Sequence, residues 1–363
     1  MVLAVIEQSK GLRFLVKHRR IFACVLLLFL FMALASCAGL PRSHLVLEAK
    51  EAVESVDPVM GDWRGTLKSA EGTESSLVAQ VIALGEGRYR ANLLTAFDSG
   101  GAPVAVLEAR TEGDGVVRFT QGRESRYGTA SGVIKQGRFT GRLGGTSGGS
   151  FAMQKVYRVS PTLGARPPAG AVVLFTGDPL EQWEHPNKSG SVKWELVDGA
   201  MEIKPGTGSI ITKRKFTDFR LHLEFRTPFM PAARGQGRGN SGVYLQERYE
   251  VQILDSYGLE GRWNECGAIY KVAAPQVNMC AVPMQWQTYD ITFHSPRFDG
   301  TGRKIENART TVLHNGVKIH DNVEVPKPTQ AALDGNENHT GGIYLQDHGN
   351  RVQYRNIWLV ELP

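Results

Sequence analysis

The 363-residue sequence holds only four cysteines, and it contains no CxxC, HxH or HExxH motif. Zinc sites of the common spacings are therefore excluded. No dense stripe of lysine and arginine with interleaved aromatics is present, so nucleic acid is a poor partner. The formal net charge of +6 is carried mostly by the first 36 residues. Setting aside their five basic residues and one acid (Glu7) leaves about +2.

What is present begins with an export signal. The basic stretch Lys17-His18-Arg19-Arg20 precedes an apolar run from Ile21 to Ala35, which has the length of a signal-peptide core. A spanning helix needs roughly 20 apolar residues, so the run is short for a permanent anchor unless it extends through Leu40. The tetrad Leu34-Ala35-Ser36-Cys37 resembles the lipobox of bacterial lipoproteins, in which the cysteine becomes lipidated and N-terminal. The expectation is a signal over residues 1–36, a lipid anchor on Cys37 and a location in the cell envelope. With Cys24 in the signal and Cys37 lipidated, Cys266 and Cys280 would face an oxidising compartment, where a disulfide between them is expected.

The remainder reads as all-β. Residues 37–54 form a tether or a short helix. Residues 55–158 carry short alternating runs such as Tyr89 to Leu94, bounded by Gly, Asp or Ser. They predict a small antiparallel β module, sheet or barrel, which holds no cluster of His, Asp, Glu and Cys and so serves to bind a ligand or to space the second domain. The Pro/Gly-rich segment 159–170 reads as an extended linker. Residues 171–363 again consist of short strands divided by turn signals such as His314-Asn315-Gly316, the pattern of a two-sheet sandwich or jelly roll.

Two segments of this second unit are nearly identical: Asn240-Ser241-Gly242-Val243-Tyr244-Leu245-Gln246-Glu247 and Thr340-Gly341-Gly342-Ile343-Tyr344-Leu345-Gln346-Asp347. Strand side chains alternate between faces, so the aliphatics should enter the core and Tyr244, Gln246, Tyr344 and Gln346 should share the opposite face. On the next strand Val251 and Ile253 point inward, which turns Glu250 and Gln252 outward, with Asp255 just beyond. His348 joins this face if its strand persists that far. Such a polar surface suits a sugar, and the Gly/Arg-rich loop 226–240 brings Arg234, Arg238 and Asn240 as donors. It is not a dinucleotide fingerprint, since no βαβ unit surrounds it.

The run Arg226 to Gln246, the strand Tyr249 to Gly258, the segments Cys266-Gly267-Ala268-Ile269-Tyr270 and Trp286 to Ile291, then Leu345-Gln346-Asp347-His348-Gly349-Asn350 with Arg355-Asn356-Ile357-Trp358, resemble the 3-keto-disaccharide hydrolase family over residues 171–363. The resemblance implies a concanavalin-like jelly roll and a carbohydrate substrate oxidised to a ketone at C3. That ketone acidifies the C2 proton, so cleavage demands a base, a stabiliser for the enolate and a proton donor to the leaving oxygen. The candidates for base are Glu250 and His348, and for donor or orienting group Asp255 and Asp347. Arg238, Asn240, Tyr244, Gln246 and Gln252 are suited to holding hydroxyls or the enolate. A divalent cation held by Glu250, Asp255 or His348 is an alternative electrophile. Two other readings stay open. One is an ordinary jelly-roll glycosidase, weakened because Glu250-x-Gln252-x-x-Asp255 lacks the middle acid of the Glu-x-Asp-x-x-Glu strand. The other is a carbohydrate-binding lipoprotein without turnover.

Overall fold

The computed structural model describes residues 41–363 apart from 112–114, 127, 146–147, 178 and 189. The expected signal peptide and the expected lipid anchor on Cys37 fall outside the described residues. Among those described, no helix is long and apolar enough to cross a membrane. Helix α1 (Arg42–Glu54) buries Leu45, Ala49 and Val53, which recur every four residues and so lie on one face. From Leu45 onward it is part of the body: Leu45 and Ala49 pack with Val159, Leu163 and Trp286, and Glu48 meets Arg355 at 2.7 Å.

Eight strands follow as a continuous meander: β1 (Gly61–Ser69), β2 (Glu74–Gly85), β3 (Arg88–Leu94), β4 (Ala105–Thr111), β5 (Val117–Ser125), β6 (Ala130–Lys135), β7 (Arg138–Leu143) and β8 (Gly149–Val156). Each pairs antiparallel with the next, and β8 closes onto β1, making a barrel. Closure leaves no unpaired edge. The interior is filled by aromatics: Phe139 lies 5.9 Å from Trp63, 5.1 Å from Phe119 and 5.3 Å from Phe151 between ring centroids. Gly141 makes room for them, since a Cβ there would fall 2.3 Å from the Phe151 ring. Of the two roles expected for this module, a ligand inside the barrel does not fit so packed a core.

The second unit comprises β9 (Val172–Phe175), β10 (Trp183–Glu184), β11 (Glu195–Val197), β12 (Ala200–Glu202), β13 (Ile210–Thr212), β14 (Phe219–Arg226), β15 (Ser241–Leu245), β16 (Tyr249–Ile253), β17 (Gln287–His294), β18 (Arg297–Phe298), β19 (Lys304–Glu306), β20 (Ala308–His314), β21 (Val317–Val325), β22 (Tyr344–Leu345) and β23 (Gln353–Glu361). They form an antiparallel jelly-roll sandwich. One sheet runs β10-β13-β22-β15-β16 and the other β11-β12-β23-β14-β17-β20-β21 with β9 on β23. The core lies between the sheets, where β14 contributes Phe219, Leu221, Leu223 and Phe225 and β15 contributes Val243 and Leu245. Each such side chain is worth roughly 1.5–3 kcal/mol when fully buried. The two nearly identical segments are neighbours in one sheet, with Val243 opposite Leu345 and Tyr244 opposite Tyr344.

The segment between the units is fixed in place. The Thr162 hydroxyl donates to Asp290 at 2.6 Å, the Gly164 N–H donates to Glu224 at 2.6 Å, and Ser160 meets Thr288 at 2.7 Å. Barrel and sandwich also meet directly. Asp62 accepts from the Tyr257 hydroxyl at 2.8 Å and pairs with Arg158 at 2.6 Å, while the Asn92 amide donates to Gly258 O at 2.7 Å.

The disulfide expected between Cys266 and Cys280 is absent; both are free, buried thiols. They lie in hydrogen-bonding contact with each other. Cys266 Sγ is 3.2 Å from Tyr289 Oη and Cys280 Sγ is 3.5 Å from Leu254 O. Core packing and these bonds satisfy both sulfurs without a covalent link.

Asp62 is 6% exposed, so removing it strands a guanidinium and a buried phenol. Asp62→Ala is expected to cost on the order of 3 kcal/mol in denaturant unfolding. A loss under about 0.5 kcal/mol would show that the contact adds nothing to the junction.

Candidate active site

The short sheet has one face in the core, and its other face carries the candidate site. Strand alternation sends Val243, Leu245, Val251 and Ile253 to the core, so Gly242, Tyr244, Glu250 and Gln252 take the opposite face. Register then aligns Ile211, Tyr344, Tyr244 and Glu250 in one row across β13, β22, β15 and β16. The next row sets Gly242 against Gln252. A Cβ at Gly242 would sit 2.6 Å from Glu250 Oε1, so the glycine creates the space the carboxyl occupies.

This row is buried rather than solvated: Glu250 is 3% exposed and Tyr244 is fully covered. Tyr344 meets Tyr244 edge to face at 4.9 Å, and the Gln346 amide donates to Tyr244 Oη at 3.2 Å. Tyr244 in turn hydrogen-bonds Glu250. Burial pushes the Glu250 carboxyl up to about 8, and the Tyr244 bond only partly opposes it. The Tyr244, Tyr344 and Tyr270 phenols are all raised, chiefly by burial and then partly by the Glu250 charge, so they remain protonated donors. A second group adjoins this row. Gln236 accepts from the Gln252 amide at 3.0 Å through its side chain, and its backbone carbonyl accepts from the Asn240 amide at 2.8 Å. Asn240 Oδ1 and Gln252 Oε1 are buried acceptors left without a partner among the described residues.

Other expected members lie elsewhere. Gln246 and Glu247 have φ of 50° and 57° and form a tight hairpin turn, which ends the alternation. The Gln246 amide holds Phe216 O at 2.9 Å and Ser295 Oγ at 2.7 Å, a structural task. Strand β22 stops at Leu345, so His348 lies beyond it, exposed, and strand alternation no longer assigns it to Glu250's face. Asp347 caps that turn, accepting from the N–H groups of Gly208 at 3.0 Å and Gly349 at 2.9 Å. Asp255 is locked by Arg238 at 2.6 Å; complete burial raises its carboxyl and the guanidinium opposes the shift. Arg234 donates to Pro231 O, Ala233 O and Leu84 O, facing the barrel. Glu250, Asp255 and His348 therefore do not converge as a cation site, and no group of three His, Cys, Asp or Glu among the described residues has that arrangement.

Tyr270 adjoins the row without being singled out by the strand pattern. Tyr270 N donates to Glu250 O at 3.1 Å, which holds the Tyr270 segment against β16. Trp263, 47% exposed, stands edge-on to Tyr270 at 5.9 Å. Of the other tryptophans, Trp183 is core, and Trp286 lies beneath Arg226 and Arg355.

The arrangement is a buried carboxyl among phenols and amides on one sheet of a jelly roll, with the exposed Trp263 indole against Tyr270. Residues 170–360 match the 3-keto-alpha-glucoside-1,2-lyase-like domain, and the chain belongs to that family. The barrel lies outside the matched residues. A crystal structure of a Parabacteroides distasonis ATCC 8503 protein assigned as a glycosyl hydrolase is 36% identical, with a TM-score of 0.50, covering 54% of this chain and 85% of that one. A second protein from the same organism, with the same assignment, is 21% identical with a TM-score of 0.42, over 53% and 94%. No curated protein matches the chain.

Because the folded Glu250 holds its proton up to about pH 8 and an unfolded one loses it near 4.5, its contribution to stability is complete below 4.5 and is lost as pH rises through 8. Glu250→Gln removes that loss. The stability of the variant relative to the native chain should grow between pH 5 and 8 by on the order of 1.4 kcal/mol per unit, measured by urea unfolding. A pH-independent difference would contradict a raised carboxyl.

Proposed function

We propose that the sandwich cleaves glycosidic bonds in 3-keto-glycosides by elimination, in a chain exported and lipid-anchored through Cys37. Membership of a 3-keto-glucoside lyase-like family and the 36% identity to a protein assigned as a glycosyl hydrolase support glycoside cleavage. One observation carries the finer reading: Glu250 is a desolvated carboxyl whose proton affinity is set by burial and Tyr244, whereas Asp347, whose charge reaches Tyr344, is engaged by the N–H groups of Gly208 and Gly349. Conventional glycosidases need two carboxyl groups flanking the bond. Elimination needs one strong base and neutral donors, which is what a carboxyl near 8 among protonated phenols offers.

In this scheme ionised Glu250 takes the C2 proton and the C2–H electrons form the C2–C3 enolate. Tyr244 or Tyr344 donates a hydrogen bond to the developing oxyanion. Collapse of the enolate restores the C3 carbonyl, forms the C1–C2 double bond and breaks C1–O, and the leaving oxygen takes a proton from a neighbouring donor. Addition of water across C1–C2 converts the elimination product into the hydrolysis product. Asn240 and Gln252 supply acceptors for sugar hydroxyls, and Trp263 supplies an apolar ring face.

The test is incubation with a 3-keto-glycoside and with its unoxidised parent. Cleavage of the keto sugar alone is expected; cleavage of the parent alone, or of neither, overturns the proposal. The kcat/KM should rise with pH through an apparent pKa near 8, and Glu250→Gln should lower kcat roughly 10²–10⁴-fold. Trp263→Ala should raise KM about fivefold with kcat little changed, as expected for loss of uniform binding; an unchanged KM would remove Trp263 from the sugar's path.

A further inference from the structure

Away from Glu250, two clefts of about 820 and 900 Å³ open between the barrel and the sandwich. The second is walled by the outward faces of β3, β4 and β5 and by the segment 234–238 of the sandwich. Six arginines line it (Arg88, Arg90, Arg110, Arg118, Arg234 and Arg238) against two carboxylates, Glu108 and Asp255. The barrel register sets Arg88 directly opposite Arg110, and Arg110 directly opposite Arg118. Like charges facing each other across strands are destabilising. Among the described residues, carboxylates pair with several of these arginines. Glu86 is 3.4 Å from Arg88 and Glu108 is 3.7 Å from Arg90, while Asp255 is taken by Arg238 Nε at 2.6 Å.

The sandwich wall points the same way. Among the described residues Arg234 donates to the backbone carbonyls of Pro231, Ala233 and Leu84, and after desolvation the nearby Arg238, Arg88 and Arg90 lower its proton affinity. Arg238 is 7% exposed, yet its Nη2 is buried with no hydrogen-bond partner, as is Arg90 Nε. A buried guanidinium with an unused donor in the wall of a cationic cleft favours an anion there.

We propose that this cleft binds an anionic saccharide, one bearing carboxylate or sulfate groups on successive sugars. Adjacent strands lie ~4.8 Å apart, so Arg88 and Arg110, opposite each other on β3 and β4, leave the backbone at a spacing on the scale of one sugar unit, which a repeating anion matches better than a single one. Residues 234–240 join the two sites: Gln236 reaches Gln252 and Asn240, whereas Arg234 and Arg238 line the cleft. The saccharide part of this assignment rests on the proposed function; the anionic part rests on the arginines alone.

Calorimetric titration of the full chain at low ionic strength tests it, using an oligogalacturonate, a sulfated dextran oligosaccharide and neutral maltotetraose. The two anionic probes distinguish carboxylate from sulfate. Binding of at least one is expected, with roughly tenfold or greater loss in an Arg88→Glu/Arg110→Glu variant and progressive loss as salt is added. Turnover of a neutral 3-keto-glycoside should be unchanged in that variant, and Glu250→Gln should bind the anionic probe as the native chain does. Arg88→Gln/Arg110→Gln, with smaller but same-signed loss, serves if the charge reversal perturbs folding by circular dichroism. Failure of keto-glycoside turnover with anion binding intact would sink the proposed function and leave this site standing. Equal binding of maltotetraose, no binding of either anion, or unchanged anion binding in the arginine variants overturns it.

Discussion

The site depends on one constraint, the burial of a carboxyl in a row of side chains that strand register makes unavoidable. Once Val251 and Ile253 take the core, Glu250 has no choice of face, and its cross-strand neighbour is Tyr244. The phenols covering it withdraw it from water, and desolvation penalises the charged form. The sheet thereby raises the proton affinity of this glutamate to about 8. Glycine at 242 is the local concession that makes this packing possible.

The barrel and the segment 157–171 place this sheet in a larger frame. Asp62, Tyr257 and Arg158 tie the barrel to the sandwich, and the hydroxyls of Ser160 and Thr162 anchor the connecting segment on β17. Residues 234–240 thus lie between a carboxyl site on one side and a cationic cleft on the other. A filled barrel has no interior for a ligand, so its outer surface is where it can contribute to binding.

Much of this was legible in the sequence because alternation is a local property. The division of Val243 and Leu245 from Tyr244, and of Val251 from Glu250 and Gln252, followed from period two alone. It failed where the backbone left the strand: Gln246 enters the hairpin turn at φ 50°, and β22 ends before His348. Asp255 and Arg238 were read separately as a donor and a binder, because only the fold brings them to 2.6 Å. Tyr270 reaches Glu250 through a backbone contact in a return loop, which has no periodic signature. Barrel closure pairs β1 with β8 across some 90 residues, and the arginine row exists only once the registers of β3, β4 and β5 are known. Those are long-range facts that composition and spacing do not encode. The disulfide expectation drew on compartment rather than geometry, and the core accommodates both thiols unlinked.

The proposed chemistry turns on the state of one side chain, the Glu250 carboxyl. Carbon-13 NMR of chain labelled at glutamate Cδ, with the Glu250 resonance assigned by its loss in Glu250→Gln, reads that state directly as pH is raised. The expected midpoint is near 8, several pH units above an ordinary glutamate. A midpoint near 4.5 would mean a solvated carboxylate, and would contradict both the buried row and the chemistry built on it.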